Sequence, residues 1–491
     1  MTEGLLLVLD EGTTSTRAML FDARGALHGT AQEELAQHYS HSGWVEHDAG
    51  EIWERTLACA QAMVAQAGGP ERIAAIGITN QRETVVAWDK ATGEPLCRAI
   101  VWQDRRTADF CAELKEQGHE DAVRAKTGLL LDPYFSATKM CWMLDNVAEV
   151  RVAAQAGTLA FGTVESWLAW KLTGGRSHVS DASNASRTLL MALEGGDWDE
   201  DMLALFGVPR AALPTIVDCA GTLGCADLLG APIPICGMAG DQQAATIGQG
   251  CLAAGDTKAT YGTGAFVLAN TGTRPPRSEH RLLGTVLCQV AGTRTFALEG
   301  SVFVAGSLIK YLRDTLGLLD DAAQSEVLAR SVPDSGGVTI VPALSGLGAP
   351  WWQPEARGII AGLGFDSTRA HIARAALEAM AHQTRDLATA FADDGTAWTA
   401  LRIDGGMAAN DWMAQDVADI LGIAVTRPDF VETTALGAAM LAAVGCGMHP
   451  ALADAATAML GSGRTFEPAM DESLRARRLA RWDAALGMVR Q

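Results

Sequence analysis

Two stretches of this chain bring an aspartate to the end of an apolar run beside glycine and hydroxyl-bearing residues. The first is Leu5-Leu6-Leu7-Val8-Leu9 followed by Asp10-Glu11-Gly12-Thr13-Thr14-Ser15-Thr16-Arg17. A buried strand there would carry Asp10 to its tip. Gly12 would let backbone approach a phosphate, and the Thr and Ser groups would offer hydroxyl and N–H donors to its oxygens. Residues 18–25 then read as the returning strand and its turn. An ordinary hairpin with a polar turn fits the same residues, because short motifs need context. The second stretch is Gly237-Met238-Ala239-Gly240-Asp241-Gln242-Gln243, after the apolar residues 232–236. Here a glycine-rich turn is expected to place Asp241 at a helix start, where its carboxylate can accept a proton from a bound hydroxyl. A plain helix N-cap is the competing role for the same aspartate.

Strand-like apolar pieces alternate with helix-like segments along the chain, which predicts α/β architecture. Residues 73–79 read as a buried strand, and Asn80-Gln81-Arg82-Glu83 follows at its carboxyl end, where open α/β sheets hold ligands. Residues 401–404 form another strand, stopped by Gly405-Gly406. The helix after it has Asn410 as its cap and Met413, Val417, Ile420 and Leu421 on one face. Residues 259–272 echo the opening hairpin: strand, Gly/Thr turn, strand, Gly turn. Either two related halves face each other across a cleft, with a boundary near residue 248, or Gly- and Thr-rich hairpins coincide.

With 491 residues, 48% apolar and 20% charged, the chain has a globular composition and length for two or more domains. A net charge of −20 argues against a nucleic-acid or anionic-membrane surface, which would need a basic patch. The ten cysteines contain no C-x-x-C pair and read as buried thiols of a reducing compartment. Met1-Thr2-Glu3-Gly4 lacks the basic start of a signal peptide, and the small-apolar run 435–448 is too short to span a membrane. A soluble, cytoplasmic protein is expected. No Gly-Lys dipeptide exists, so a P-loop is absent, and Gly248-x-Gly250-x-x-Ala253 follows a helix-like stretch where a dinucleotide fold requires a strand. The ten histidines show no zinc-ligand spacing.

Two longer motifs carry a resemblance. Tyr134-Phe135-Ser136-Ala137-Thr138-Lys139-Met140-Cys141-Trp142 matches one signature of the FGGY carbohydrate kinases. Gly358-Ile359-Ile360-Ala361-Gly362-Leu363 with His371-Ile372 and Ala375-Ala376-Leu377-Glu378 matches the other. Residues 78–84, Val101-Trp102-Gln103, Asp132-Pro133-Tyr134 and Gly262-Thr263-Gly264-Ala265-Phe266 resemble the family's glycerol kinase branch. The resemblance covers nearly the whole chain. It implies two actin-like (ribonuclease H-like) ATPase domains with a cleft between them. Residues 1–248 would carry the polyol site and 249–491 the nucleotide site.

The same resemblance implies ATP and Mg²⁺ as cofactors, a small polyol as partner, and a homodimer or homotetramer as an open expectation. The acidic chain would then bind ATP through local donors and Mg²⁺. By the likeness Arg82, Glu83, Tyr134, Asp241 and Gln242 hydrogen-bond the polyol while Trp102 and Phe266 wall it. Those types suit glycerol, which has a hydroxyl edge and a thin carbon edge. Taken alone, the two aromatics could be core packing and Arg82-Glu83 a surface ion pair. The likeness further implies Asp241 as general base, Asp10 with Asp241 as the Mg²⁺ carboxylates, and Thr13, Thr14, Ser15, Arg17 and Thr263 around the phosphates. Gly306, Gly406 and Asn410 match nucleotide positions, with close backbone approach explaining the glycines. Glu11 and Lys310 stand where these kinases usually carry glutamine. Glu11 is expected to weaken nucleotide binding unless it points away or helps hold Mg²⁺, with Lys310 as a balancing charge. Residues 226–231 lack the glycine-rich loop and arginine of kinases inhibited by fructose 1,6-bisphosphate, and no arginine lies between Arg210 and Arg274. Little inhibition by that sugar is expected.

Overall fold

In the computed structural model, which describes residues 4–490, strands and helices alternate along the whole chain. Thirteen strands share one sheet. They are β1 (Leu5–Glu11), β2 (Ser15–Phe21), β3 (Leu27–Glu34), β4 (Ile73–Asn80), β5 (Ala220–Ala226), β6 (Ile233–Gly240), β7 (Thr257–Tyr261), β8 (Ala265–Gly272), β9 (Leu283–Val290), β10 (Thr293–Val302), β11 (Ala400–Asp404), β12 (Ala424–Pro428) and β13 (Gly463–Phe466). Their spatial order is β13-β12-β11-β7-β8-β10-β9-β5-β6-β4-β1-β2-β3.

The order repeats. In the first half β1 and β2 form an antiparallel hairpin, and β4 and then β6 continue the sheet in parallel on the other side of β1. In the second half β7 and β8 form the hairpin, and β11 and β12 continue in parallel beside β7. The hairpin echo read at 259–272 is therefore a repeat of topology. The two half-sheets join through a single residue pair, Ala220 with Val290 between β5 and β9.

Six helices matter for the site: α1 (Ala49–Ala67), α2 (Ser136–Asn146), α3 (Asp241–Gly248), α4 (Gly306–Asp314), α5 (Asp411–Leu421) and α6 (Thr433–Gly445). Helix α1 starts at Asp48, whose carboxylate accepts from the Gly50 and Glu51 N–H groups, and it buries Ile52, Thr56, Cys59 and Met63. Helix α5 is capped by Asn410, as its sequence predicts, through a 2.9 Å bond from the Met413 N–H. Helix α6 is apolar all round because it is buried all round. It comes from the second half but packs on α3, β6 and β4 of the first. The run 435–448 that is too short for a membrane is thus the packed junction of the halves. Among the described residues no helix is long and apolar enough to cross a membrane. All ten cysteines are free thiols.

The junction depends on missing side chains. A Cβ on Gly77 would lie 2.6 Å from the Ala438 carbonyl oxygen, and one on Gly237 would lie 2.5 Å from the Ala442 nitrogen. A Cβ on Gly437 would run into the Ala244 carbonyl, which is backbone and cannot step aside. Gly437→Ala is therefore expected to destabilise the fold by roughly 1–3 kcal/mol, the cost of overpacking, although alanine favours helix. Denaturant midpoints test this, and an unchanged or higher midpoint would mean that α6 can lift away.

One sequence expectation needs correction. Gly237-Met238-Ala239-Gly240 is not a turn; β6 runs straight through it to Asp241. Neither glycine has positive φ. Both are glycine because neighbours cross closely, α6 over Gly237 and the Arg82 side chain over Gly240, where a Cβ would meet the Arg82 Cγ at 2.6 Å.

Candidate active site

Three parallel strands end together. In register, Asp10 of β1 lies beside Thr79 of β4, and Gly240 of β6 beside Asn80. Asp10, Arg82-Glu83 and Asp241 therefore emerge at one sheet edge, the carboxyl end, where such sheets hold ligands. Asp241 is the first residue of α3 and Gly240 its N-cap, so the aspartate is not the cap that its position also permitted. One of its oxygens accepts from the Gln242 N–H at 2.7 Å and lies 3.3 Å from the Arg82 Nε. Its side chain is 34% exposed, the only open one in this acid and arginine cluster.

Arg82 and Glu83 do not form a surface ion pair. Both are buried, 3.8 Å apart, and each has a better partner. Arg82 reaches both oxygens of Glu299, at 2.6 and 3.0 Å, and donates to the Tyr134 hydroxyl at 3.2 Å. Glu83 accepts from the Arg187 Nε at 2.6 Å, and Arg187 also donates to Glu299 at 3.0 Å. Glu83 has φ of 62°, a left-handed conformation that costs a non-glycine residue energy. Tyr134 sits on a loop fixed from below by Lys139, whose ammonium donates to the carbonyls of Pro133, Tyr134 and Phe135 at 2.6–3.0 Å.

The aromatic residues form one side. Trp102 meets Tyr134 and Phe266 edge to face, with ring centres 5.7 and 6.3 Å away. Its indole N–H donates to the Thr13 hydroxyl at 3.0 Å, which ties this wall to the first hairpin. Both Trp102 and Phe266 are only partly buried, so neither is plain core. Gln242 is buried, with its carbonyl oxygen taken by Lys258 at 2.6 Å and its amide nitrogen 3.5 Å from Asp241.

At the hairpin tips Thr14 and Thr263 are exposed, and Thr13 and Ser15 partly so. Arg17 ion-pairs with Asp10 across the hairpin and with Glu432 at 2.6 Å from the second half. Burial, opposed by Arg17, pushes the Asp10 acid above its ordinary range. The Thr263 carbonyl accepts from the Ala305 and Ser307 N–H groups and the Ser307 hydroxyl at 2.9–3.1 Å, which locks the second tip onto α4. Gly306 is explained by this contact: a Cβ would meet the Gly262 carbonyl oxygen at 2.5 Å. For Gly406 the protein offers no such reason, since a Cβ there meets nothing within 4 Å. Its neighbour Gly405 is the constrained one, with φ of 86° and a position where a Cβ would meet the Tyr261 carbonyl oxygen at 2.5 Å. Among the described residues no group of three or more His, Cys, Asp or Glu side chains forms a metal cage.

Of the alternatives open for Glu11, the fold takes the one in which its side chain points away from the hairpin tip. Glu11 is fully buried and turns from the hairpin into α1, where the Thr56 hydroxyl donates to it at 2.7 Å. Burial, against hydrogen bonds from Thr56 and Thr16, pushes its acid up to about 8. It is uncharged at neutral pH and takes the place of a glutamine without adding charge. Lys310 is exposed on α4, one turn from Asp314. A carboxyl group shifted from 4.5 to about 8 on folding gives its full contribution to stability below about pH 4.5 and loses it as pH rises to 8. Glu11→Gln is therefore expected to be more stable than the parent, by a margin growing about 1.4 kcal/mol per pH unit at most across that window. Denaturant midpoints from acid to mildly alkaline pH measure it. A margin independent of pH would contradict the buried neutral acid.

Sequence reading also missed partners from distant segments. Glu299, Arg187 and Lys258 lie within no motif, and only their burial together reveals them. The loop 226–231, read as having no cation, has Arg176 brought to it by folding, paired with Asp227.

The chain matches the model of the FGGY family of carbohydrate kinases, N-terminal domain, over residues 5–248 and that of the C-terminal domain over 257–446. It is 55% identical over 492 residues to a glycerol kinase of Rhodospirillum rubrum, covering 99% of this chain and 98% of the relative. A glycerol kinase of Alcanivorax borkumensis is 53% identical over 490 residues, with the same coverage. Among solved structures, Plasmodium falciparum glycerol kinase with ADP superposes with a TM-score of 0.93 at 33% identity, covering 99% of this chain and 98% of that one. Repeated half-sheets, paired hairpins and these matches agree: the chain belongs to the FGGY family of carbohydrate kinases.

Proposed function

We propose that the chain transfers the terminal phosphoryl group of ATP to a primary hydroxyl of glycerol, giving sn-glycerol 3-phosphate for glycerol catabolism. The observation that carries this is Asp241, an open carboxylate at the tip of β6, 3.3 Å from the buried Arg82 that also donates to Tyr134. Asp241 takes the proton of the attacking hydroxyl. Arg82, Glu83, Tyr134 and the Gln242 amide pair the remaining hydroxyls, while Trp102 and Phe266 cover the carbon edge and keep water out. Thr13, Thr14, Ser15 and Thr263, on two hairpin tips, position the phosphates by hydroxyl and backbone N–H groups, with Gly306, Gly406, Asn410 and Lys310 on the nucleotide side. Arg17 would leave Glu432 to join them. Residues 1–248 then carry most of the polyol contacts and 249–491 the nucleotide.

The donor set fits Mg²⁺, a hard cation that takes one or two carboxylates, water and phosphate oxygens. Asp10 and Asp241, at the carboxyl ends of two parallel strands that flank β4, would hold it, and the ion would neutralise charge on the phosphates when bound. A cytoplasmic location agrees with ten free thiols. The residues Met1–Glu3 that bear on a leader lie outside the described ones. An ADP-release assay with and without glycerol, repeated with erythritol and D-xylulose, tests the reading. Faster release with a longer polyol or ketose would make the chain a kinase for that substrate, and release independent of any polyol would refute both.

A further inference from the structure

Glu299 is fully buried on β10 in the second half of the chain, yet it grips the arginine that faces the polyol in the first. Its Oε2 lies 2.6 Å from the Arg82 Nη1, and its Oε1 lies 3.0 Å from both the Arg82 Nη2 and the Arg187 Nη2. The Ser301 hydroxyl adds a bond at 3.3 Å. Arg187 in turn holds Glu83 at 2.6 Å. The two charged residues that read the polyol thus hang from one carboxylate, through a direct bidentate pair and through a second arginine. In register, Ser301 pairs with Phe266 across β8 and β10, so the strand that holds Glu299 also sets the aromatic wall. We infer that Glu299 is a positioning residue for glycerol recognition, which acts across the junction of the halves by aiming Arg82 and, through Arg187, Glu83.

The geometry states what its loss does. Arg82 already has its Nε 3.3 Å from Asp241. Without Glu299 its nearest remaining open anion is the base itself, so the guanidinium turns toward Asp241 and away from the hydroxyls. Preorganised contacts depend on the groups behind them, and a bidentate charge-assisted pair is the strongest such support. Charge also forces Glu299 to stay ionised. Burial alone would raise its acid, but Arg187 and Arg82 outweigh that and hold it at about 2.

The inference rests on the proposed reaction, so wild-type enzyme is assayed first and its best polyol is used throughout. Failure of wild type on glycerol concerns the reaction, whereas the variants concern Glu299. Glu299→Gln keeps the shape and removes the charge. Its KM for glycerol is expected to rise about tenfold or more, with KM for ATP changed less than about twofold and a smaller preference for glycerol over 1,2-propanediol. Glu299→Asp, which keeps the charge on a shorter arm, should recover part of that loss, and it also serves if the Gln variant does not fold. Asp416→Asn, which breaks the buried pair of Asp416 with Arg478 at 2.5 and 2.8 Å in the second half, is the control for instability. It should lower Tm without moving the glycerol KM. A near-normal glycerol KM in Glu299→Gln would overturn the inference, as would equal rises in both KM values, or the same glycerol defect in Asp416→Asn.

Discussion

Asp241→Asn is expected to lower kcat by roughly 10²-fold or more, while glycerol still binds and the fold stays intact. The asparagine retains the length and one carbonyl oxygen to accept from the Gln242 N–H, so the start of α3 is kept. It cannot take a proton from the attacking hydroxyl. Because Arg82 keeps Glu299 and Tyr134 as partners, the hydroxyl-reading groups should hold their places and KM for glycerol should move far less than kcat. The aspartate also stands on one of the two strand ends that would hold Mg²⁺, so the assay is run across a wide range of Mg²⁺ concentration. A loss of kcat that excess Mg²⁺ restores would make Asp241 a metal residue rather than the base. Near-normal kcat at all concentrations would remove it from the chemistry altogether.

The parts of this site that lie next to a strand end were legible because chain and space coincide there. Asp10 at the end of β1, Arg82 and Glu83 just beyond β4, and Asp241 at the end of β6 each follow an apolar run in the sequence, and the parallel register brings those ends together. The second hairpin could be found for the same reason, since its pattern repeats that of the first. What was not legible comes from pairing at a distance. Arg82 and Glu299 are 217 residues apart, and no periodicity links them. Glycines misled in one place, where close crossing by α6 and by Arg82 was read as a turn. Charge left another place open, because Glu11 beside Asp10 counts as an acid in a composition, and only packing shows it buried against α1 and neutral below about pH 8. The resemblance to the family named candidate residues for the site, whereas the groups that hold those residues in place emerge only from packing.

Glycerol is expected to exceed 1,2-propanediol in kcat/KM by roughly 10²-fold or more, because a missing hydroxyl leaves buried partners unpaired, and this discriminates more strongly than a missing methylene does. Arg82, Glu83 and Tyr134 are all buried, so water cannot freely replace the lost group. Longer polyols fail for a different reason. Trp102 is pinned by its bond to Thr13 at 3.0 Å and by edge-to-face contact with Tyr134 and Phe266, so the wall is stiff. Erythritol must push that wall or leave its extra carbon outside, and overpacking costs about 1–3 kcal/mol, or roughly 5- to 150-fold. Dihydroxyacetone keeps an acceptor at its central carbon and loses only a donor, so it should fall between glycerol and 1,2-propanediol. D-xylulose combines the same carbonyl with added length and should be poorer than dihydroxyacetone. Steady-state kcat/KM across the five compounds tests the order, and Phe266→Ala tests its cause: relief of the wall should help erythritol relative to glycerol. Should wild type prefer erythritol or D-xylulose outright, the aromatic side is not a wall, and the reaction belongs to the longer substrate.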